Sequence, residues 1–303
     1  MSRMVTRCLA PLALGMRPLL AGWALLALIA ASAAAQTAPA PPGQNIDARC
    51  TSPSDRACID WERGVAIAVG TGVPASFAQT PGQKNVTAMR AARLDAARNL
   101  LELIKGVAIT SDTTVQQAMV SNDQVTTSIQ GQLQSIREVD RPHYFSDGSI
   151  QIKLEANLRQ VVPQDLYLGA PQDLTQGGSA PAPGGGISTS TTYTGLIIDA
   201  RGTGVTPALA PKVLDPEGKE VYGSAFVSRQ FAITQGMAGY VKSIDAARNT
   251  DRVKGNPAVV KAVKALGPNR SDLEISKDDA ERLRDLAKTE TFLRESRVMI
   301  VLD

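Results

Sequence analysis

The hydrophobic pattern in the first half of the chain switches between the period of a strand and that of a helix. Residues 61–70 carry apolar side chains at every second position of their centre, which predicts a strand. Over 84–105 the apolar side chains recur at helical spacing, so a long helix is predicted there, with Gly106 ending it. Residues 107–115 alternate with Thr and Ser and predict a second strand.

One ambiguous segment and two more strands complete this half. Residues 125–136 fit a helix or a mixed structure, and 136–139 lead into a third strand. The dipeptide Asp147-Gly148 is typical of hairpin turns, and 149–158 alternates strictly between apolar and polar side chains. This order predicts a layer in which helices cover one sheet.

The second half opens with a predicted strand at 193–200. A hairpin is predicted over 213–222, because its central Asp-Pro-Glu-Gly has Pro and Gly where β-turns favour them. Helical stretches are predicted at 229–248 and 257–266.

The C-terminal part combines a short strand, a capped helix and a buried strand. The short strand is predicted at 272–275. Ser276 and Asp279 resemble a capping box at the start of a helix over 277–288. Residues 297–302 are apolar without alternation, which is typical of a central strand.

These elements predict an α+β fold of two α/β domains, each with a small mixed sheet covered by helices. A stretch rich in Gly, Pro, Ser and Thr over 170–192 has the composition of a flexible linker between them. The predicted organisation is a signal peptide at 1–35, a disordered segment at 36–46, a first domain at 47–168, the linker at 169–192 and a second domain at 193–303.

The chain starts with the pattern of a secretory signal. Three arginines without an acidic residue precede an apolar run of 11 residues over 19–29, and small residues end at Ala35. A membrane anchor is the alternative, but a span needs about 20 apolar residues. We expect cleavage near Ala35–Gln36, a periplasmic location and no integral membrane segment afterwards.

Cleavage changes the charge of the protein. The whole chain has 32 basic and 29 acidic residues, and the predicted signal removes three arginines and no acid. The exported chain is therefore formally neutral. Long-range attraction to nucleic acid needs clustered positive charge, so no nucleic-acid partner is expected.

Cys50 and Cys58 are the cysteines of the predicted exported chain. In an oxidising compartment a disulfide between them is the default expectation. Two thiols and the single histidine, His143, make a poor metal site, so no metal is expected.

Asp199, Arg201 and Gly202 form the candidate ligand-binding group. An acid and a base two residues apart share one face at the end of a strand, and loops there often carry binding sites. The alternative is a local ion pair. A phosphate loop at Gly202-Thr-Gly204 lacks the third glycine and the helix start that such loops need, and no cofactor is expected.

Catalytic patterns are weak in this sequence. A hydrolase would have to use His143 or Asp199, and the chain has no Gly-x-Ser-x-Gly elbow. We therefore expect no catalytic residues and no enzyme activity.

The strand 64–70, the Ala-rich helix 88–104, Gly106-Val107 and the Asp147-Gly148 turn together resemble a known envelope family. Residues 61–160 resemble the N-terminal domain of flagellar assembly protein T and FlgP-type outer-membrane lipoproteins. The resemblance implies an α/β fold and a structural role in flagellar ring layers or at the outer membrane. The chain lacks the lipid-acceptor cysteine of those lipoproteins.

The stretch 193–223 and the terminal 297–303 resemble exported bacterial proteins to which no chemistry is assigned. The resulting expectation is a periplasmic, non-enzymatic structural or interaction protein of the bacterial cell envelope, flagellum-associated or ring-forming. Its expected partners are other envelope or flagellar proteins, or further copies of itself. The alternative is a periplasmic protein that binds a small ligand or a cell-wall polysaccharide.

Overall fold

A computed structural model describes residues 51–54, 56–134, 136–168 and 192–303. The predicted signal peptide, the segment 36–46 and residues 169–191 of the predicted linker lie outside the described residues. The strands are β1 Thr51–Ser54, β2 Ala57–Asp60, β3 Val65–Gly72, β4 Glu138–Tyr144, β5 Ile150–Asn157, β6 Gly195–Asp199, β7 Val213–Leu214, β8 Glu220–Tyr222, β9 Gly239–Val241, β10 Pro257–Leu266, β11 Asp272–Ile275 and β12 Val298–Val301. The helices are α1 Pro81–Lys105, α2 Val115–Ser121, α3 Asp123–Gln134, α4 Leu158–Val161, α5 Asp165–Leu168, α6 Arg229–Gln235, α7 Ile244–Asn249 and α8 Lys277–Thr289.

The α+β class is confirmed, since helices accompany two separate sheets. The first sheet has the order β1-β2-β3-β5-β4, and its pairings are all antiparallel. The second has the order β8-β7-β11-β10-β6-β12-β9. In it, β10, β6, β12 and β9 run parallel, and β11 runs parallel to β7. The pairs β10–β11 and β7–β8 are antiparallel, so the second sheet is the mixed one.

Helix α1 packs directly against strand β3, because the facing residues are alanines on the helix and glycines on the strand. The helix buries Ala88, Ala92 and Ala96, which recur every fourth residue on one face. Opposite them, β3 ends in Gly70 and Gly72. A Cβ built on Gly70 would lie 2.1 Å from the Ala96 backbone nitrogen, so only glycine permits this approach.

The predicted hairpin strand is confirmed as β5. Its side chains alternate between buried and half-buried along the whole strand, as the sequence pattern requires. Gly148 in the preceding turn has a φ of 83°, a conformation that glycine adopts without strain.

The strand predicted at 107–115 is wrong. The segment is a loop with isolated bridges from Ala108 to Thr114 and to Ala208, and α2 begins at Val115. Thr114 caps that helix reciprocally with Gln117, because each side chain accepts a hydrogen bond from the backbone N–H of the other residue. This capping box outweighs the alternating pattern. The ambiguous stretch that follows is helical, as α3.

The helix predicted at 257–266 is also wrong, because these residues form β10. Ala258, Val260 and Ala262 are buried on the core side of that strand. Val259 and Val263 add the β-branched side chains that strands favour, so a period of two prevails over the helical interpretation.

The helical stretch predicted at 229–248 is divided by a strand. Gly236 follows α6 with a φ of 79°, which ends the helix, and the chain then enters the sheet as β9 before α7 begins. Helical periodicity could not show this break, because β9 has only three residues.

The predicted central strand is confirmed as β12, which is buried throughout and pairs with β6 on one side and β9 on the other. Helices cover both faces of this part of the sheet. Leu196 of β6 belongs to the same buried cluster as Leu283 of α8, whereas Ile197 belongs to the cluster of Ala247 in α7.

The predicted turn and cap in this half are confirmed. The carboxylate of Asp215 accepts hydrogen bonds from the backbone N–H groups of Glu217 and Lys219, at 3.0 and 2.8 Å, and thereby shapes the turn between β7 and β8. Ser276 caps α8, since its hydroxyl accepts from the N–H of Asp279 at 3.1 Å.

The described parts of the two sheets contact each other through backbone hydrogen bonds. The N–H of Leu209 donates to the carbonyl of Ala108 at 3.0 Å, and that of Ala210 donates to Ile109 at 2.8 Å. The loop at 107–114 therefore joins the first sheet to the second. The domain boundaries inferred from the linker stay a prediction.

None of the described helices combines the length and the apolar character that a membrane crossing requires.

Candidate functional site

The sequence-predicted group lies at the carboxyl edge of the parallel strands of the second sheet. Asp199 is the last residue of β6, and in register it stands between Lys261 of β10 and Val301 of β12. Arg201 folds back onto it, with Nε and Nη2 each donating to one carboxylate oxygen at 2.7 Å. The structure therefore brings acid and base together in a bidentate ion pair.

This ion pair fixes the charge of both groups. The hydrogen bonds from Arg201 hold the pKa of Asp199 below its usual range, and those same bonds raise the pKa of Arg201. A carboxylate that is stabilised in this way is a weaker base, so Asp199 is poorly suited to accept a proton.

Gly202 already has a hydrogen-bond partner within the protein. It has a φ of 79°, and its N–H donates to the Asp303 carboxylate at 2.6 Å. The three predicted residues, Asp199, Arg201 and Gly202, thus form a locally satisfied cluster. This geometry is the local ion pair that the sequence offered as the alternative, and a ligand-binding role for the three residues stays a prediction.

The residues considered for hydrolysis are not brought together. His143 lies on β4 at the edge of the first sheet, where its ring contacts Phe145 edge-to-face at 4.6 Å between centroids. Asp199 belongs to the second sheet. Among the residues that the structure describes, no cluster of three or more His, Cys, Asp or Glu side chains has the arrangement of a metal site.

Cys58 lies in β2, and its side chain is buried. Cys50, its predicted disulfide partner, lies outside the described residues, so the bond stays a prediction.

Exposed apolar side chains gather at one end of the first sheet, a feature that the sequence analysis missed. Tyr144 and Gly72 both pair with Ile150, so the residue after Gly72, Val73, lies at the same end as Tyr144. The loop from Val73 into α1 also carries Phe77. Val73, Phe77 and Tyr144 are 66%, 76% and 56% exposed, and we call them the sheet-end patch.

A small pocket at the contact of the two sheets was missed as well. It has a volume of about 40 Å³, and its apolar walls include Trp61, Leu158 and Tyr240. Arg159 and Arg252 line it too. Nothing in the sequence could join these two arginines, because 93 positions separate them, Arg159 lying in α4 and Arg252 in the turn after α7.

The C-terminal part of the chain matches a known family. Residues 195–303 match the model of the second domain of Treponema pallidum Tp0624. The match starts at the first residue of β6 and covers every strand of the second sheet. It leaves out residues 61–160, so their resemblance to flagellar assembly protein T stays a prediction. A search of curated proteins finds no match to the chain.

Proposed function

We propose that this chain is a non-enzymatic interaction protein of the bacterial cell envelope that assembles with further copies of itself. The observation that carries the proposal is the sheet-end patch. Its three large apolar side chains are more than half exposed, although such side chains gain about 1.5–3 kcal/mol each when they are fully buried. A protein partner would supply that burial.

The arrangement of the patch suits a contact with a flat surface. Tyr144 belongs to β4 and Val73 directly follows β3, and these two strands flank β5, so the two residues are about 10 Å apart across the sheet. Phe77 extends the patch toward α1. Aromatic residues are enriched at the centres of protein interfaces, because they bury a large area with little loss of conformational freedom.

Charge favours a second copy as the partner. After removal of the predicted signal, the chain has 29 basic and 29 acidic residues. Proteins near zero net charge lack the mutual repulsion that keeps charged proteins apart. A neutral chain with an exposed apolar patch is therefore suited to self-association, and the periplasm is the proposed compartment.

The flagellar role is the more specific part of the proposal. It rests on the resemblance of residues 61–160 to flagellar assembly protein T and FlgP-type proteins. The match of 195–303 to a domain of a bacterial protein agrees with a bacterial origin. Deletion of the gene tests this part, and unchanged motility together with an intact envelope would rule it out.

Sedimentation of the purified protein over a range of concentrations tests self-association. We expect the mass to rise with concentration in the wild type, and Phe77→Ser and Tyr144→Ser to shift that rise to at least about tenfold higher concentration, as the loss of a buried aromatic at an interface predicts. Val263→Ser is the matched control, because Val263 is 59% exposed but lies in the second sheet. A wild type that stays monomeric throughout, or a control that acts like the patch variants, contradicts the proposal.

A further inference from the structure

Two guanidinium groups lie close together in the pocket between the sheets. Arg159 lies beside Gly236, and a Cβ built on that glycine would be 3.3 Å from its Nη1. Arg252 reaches the same glycine from its carbonyl side, since its Nη1 donates to the Gly236 oxygen at 3.3 Å. Both positive charges therefore border one residue.

Neither guanidinium charge is neutralised by an ion pair among the described residues. Burial lowers the pKa of Arg252, and the positive charge of Arg159 acts in the same direction. Both side chains are half-buried, and two like charges held close together repel each other, so an anion between them would reduce that cost.

The two arginines have different tasks. The guanidinium of Arg252 binds the backbone. It donates hydrogen bonds to the carbonyls of Gln235 and Gly236 at the end of α6, and to that of Ser296 at 2.8 Å. Arg159 makes no such side-chain hydrogen bond among the described residues. Its N–H groups remain available as donors toward the pocket.

A buried hydroxyl adds a second donor. Tyr167 lines the same pocket and is 3% exposed, and its hydroxyl has no hydrogen-bond partner among the described residues. Leaving a buried hydroxyl without a partner costs about 1–3 kcal/mol. A ligand oxygen beside Arg159 would receive this hydrogen bond.

We propose that the pocket binds the carboxylate of a small organic monoanion, with Arg159 and Tyr167 as donors and Arg252 supplying charge. Glu62, which is exposed, contributes one negative charge to the lining, so the net charge of the side chains is one positive. This balance favours a monoanion over a doubly charged phosphate. The volume of about 40 Å³ accepts one small head group.

The walls indicate what the rest of the ligand is like. Beside the arginines, the large apolar side chains of the lining are Trp61, Leu158, Leu209, Met237 and Tyr240. Such a mostly apolar surface with a few polar groups is typical of sites for small organic molecules. An uncharged, apolar stem therefore suits the ligand. The site is distinct from the sheet-end patch and does not depend on self-association.

Trp61 provides the measurement, because it lies in the pocket wall and is the one tryptophan between residues 36 and 303. Its fluorescence is followed while hexanoate is added to the purified protein, which starts at Gln36, in a buffer without other carboxylates. Hexanamide, which has the same stem but no charge, and inorganic phosphate are titrated in parallel. We expect hexanoate to change the fluorescence at concentrations at least about tenfold lower than either comparison compound, as a charged hydrogen bond predicts.

The variants separate the proposed donors from general charge effects. Arg159→Gln should weaken hexanoate binding by about tenfold or more, and Tyr167→Phe by about threefold to tenfold. Arg93→Gln is the matched control, because it removes an equal charge from an exposed ion pair with Glu138 on the first sheet, and binding should not change. Circular dichroism confirms that each variant is folded.

Three results would overturn the proposal. They are an absence of binding in the wild type, equal binding of hexanoate and hexanamide, and a folded Arg159→Gln variant that binds as well as the wild type. Tighter binding of phosphate than of hexanoate would reject the monocarboxylate assignment.

Discussion

The indole ring of Trp61 lies edge-to-face against the ring of Tyr240, with centroids 5.4 Å apart and planes at 68°. Trp61 lies in the turn that follows β2 of the first sheet, whereas Tyr240 belongs to β9 at the edge of the second. The pair therefore couples the two sheets, and such aromatic contacts add about 0.5–1.5 kcal/mol beyond the burial of their surface.

Removing the indole should weaken this coupling. We expect Trp61→Ala to lower the free energy of unfolding by about 2–3 kcal/mol, since a half-buried aromatic and its edge-to-face partner are lost together. Trp61→Phe keeps a ring and should cost less than half as much. Urea unfolding followed by circular dichroism measures both, and equal midpoints for Trp61→Ala and the wild type would contradict the coupling.

The hydroxyl of Tyr240 should stabilise the loop at 208–210, which is hydrogen-bonded to the loop at 107–114. It accepts from the Ala208 N–H at 3.0 Å and donates to the Ala208 carbonyl at 2.8 Å. Tyr240→Phe leaves both buried groups without a partner, which should cost about 1–3 kcal/mol of unfolding free energy. Tyr193→Phe, which removes a hydroxyl from an exposed contact with Arg282, is the control and should change stability by less than about 0.5 kcal/mol.

The contact of α1 with β3 should not tolerate a methyl group at Gly70. Gly70→Ala places a Cβ 2.1 Å from the backbone of Ala96, so the helix must move off the strand. We expect a loss of about 3 kcal/mol or more, at the upper end of the usual cost of overpacking. Gly82→Ala, also at α1, has no atom within 4 Å of the new Cβ and should be neutral or slightly stabilising. Similar losses in the two variants would mean that the helix does not lie this close to the strand.

The stability of the second sheet should depend on pH through Asp215. Its carboxylate accepts from Arg284 at 2.6 Å, and this hydrogen bond holds the pKa of Asp215 below its usual value. A lowered folded-state pKa means that the contribution is fully present above the unfolded value of about 3.9 and is lost as pH falls through the folded pKa.

The variant Asp215→Asn tests this dependence, because it keeps an oxygen for the turn but loses the charge. Its melting temperature should lie below that of the wild type by a constant difference between pH 5 and 8. The difference should shrink as the pH falls below about 4, where the wild-type carboxylate begins to take up a proton. A difference that does not vary with pH would show that the charge of Asp215 contributes nothing.

The disulfide between Cys50 and Cys58 should form in the exported protein. We expect its intact mass, measured without reductant, to begin at Gln36 and to show no alkylation by iodoacetamide under denaturing conditions, which expose the buried Cys58. Reduction under denaturing conditions should then expose two alkylation sites, as expected of a disulfide formed in an oxidising compartment. Alkylation without reduction would show that the two thiols are free.

Strong local signals in the sequence were sufficient for several elements. The strict alternation of β5, the Ala-rich face of α1, the turn at Asp215 and the apolar run of β12 each depend on residues close together in the chain. In these cases one structure satisfies both the local preference and the need for burial, so pattern and fold agree.

Other elements depended on partners that are distant in sequence. The stretch 257–266 has apolar residues that fit a helix, but β6 and β11 offer it pairing on both sides, and it becomes β10. Residues 107–114 alternate like a strand, yet their backbone groups bond to the loop at 208–210 instead. Hydrogen-bonding partners of this kind cannot be inferred from a local pattern.

The sequence by itself determined the α+β class, the C-terminal end of α1, the start of α8 and the proximity of Asp199 to Arg201, because all of these follow from neighbouring residues. Tertiary structure alone decided that Val73 and Tyr144 lie at one end of the first sheet, and that Arg159 and Arg252 both lie beside Gly236. The physical reason is that charge compensation and burial depend on distances in space, which chain separation does not specify when two sheets pack together.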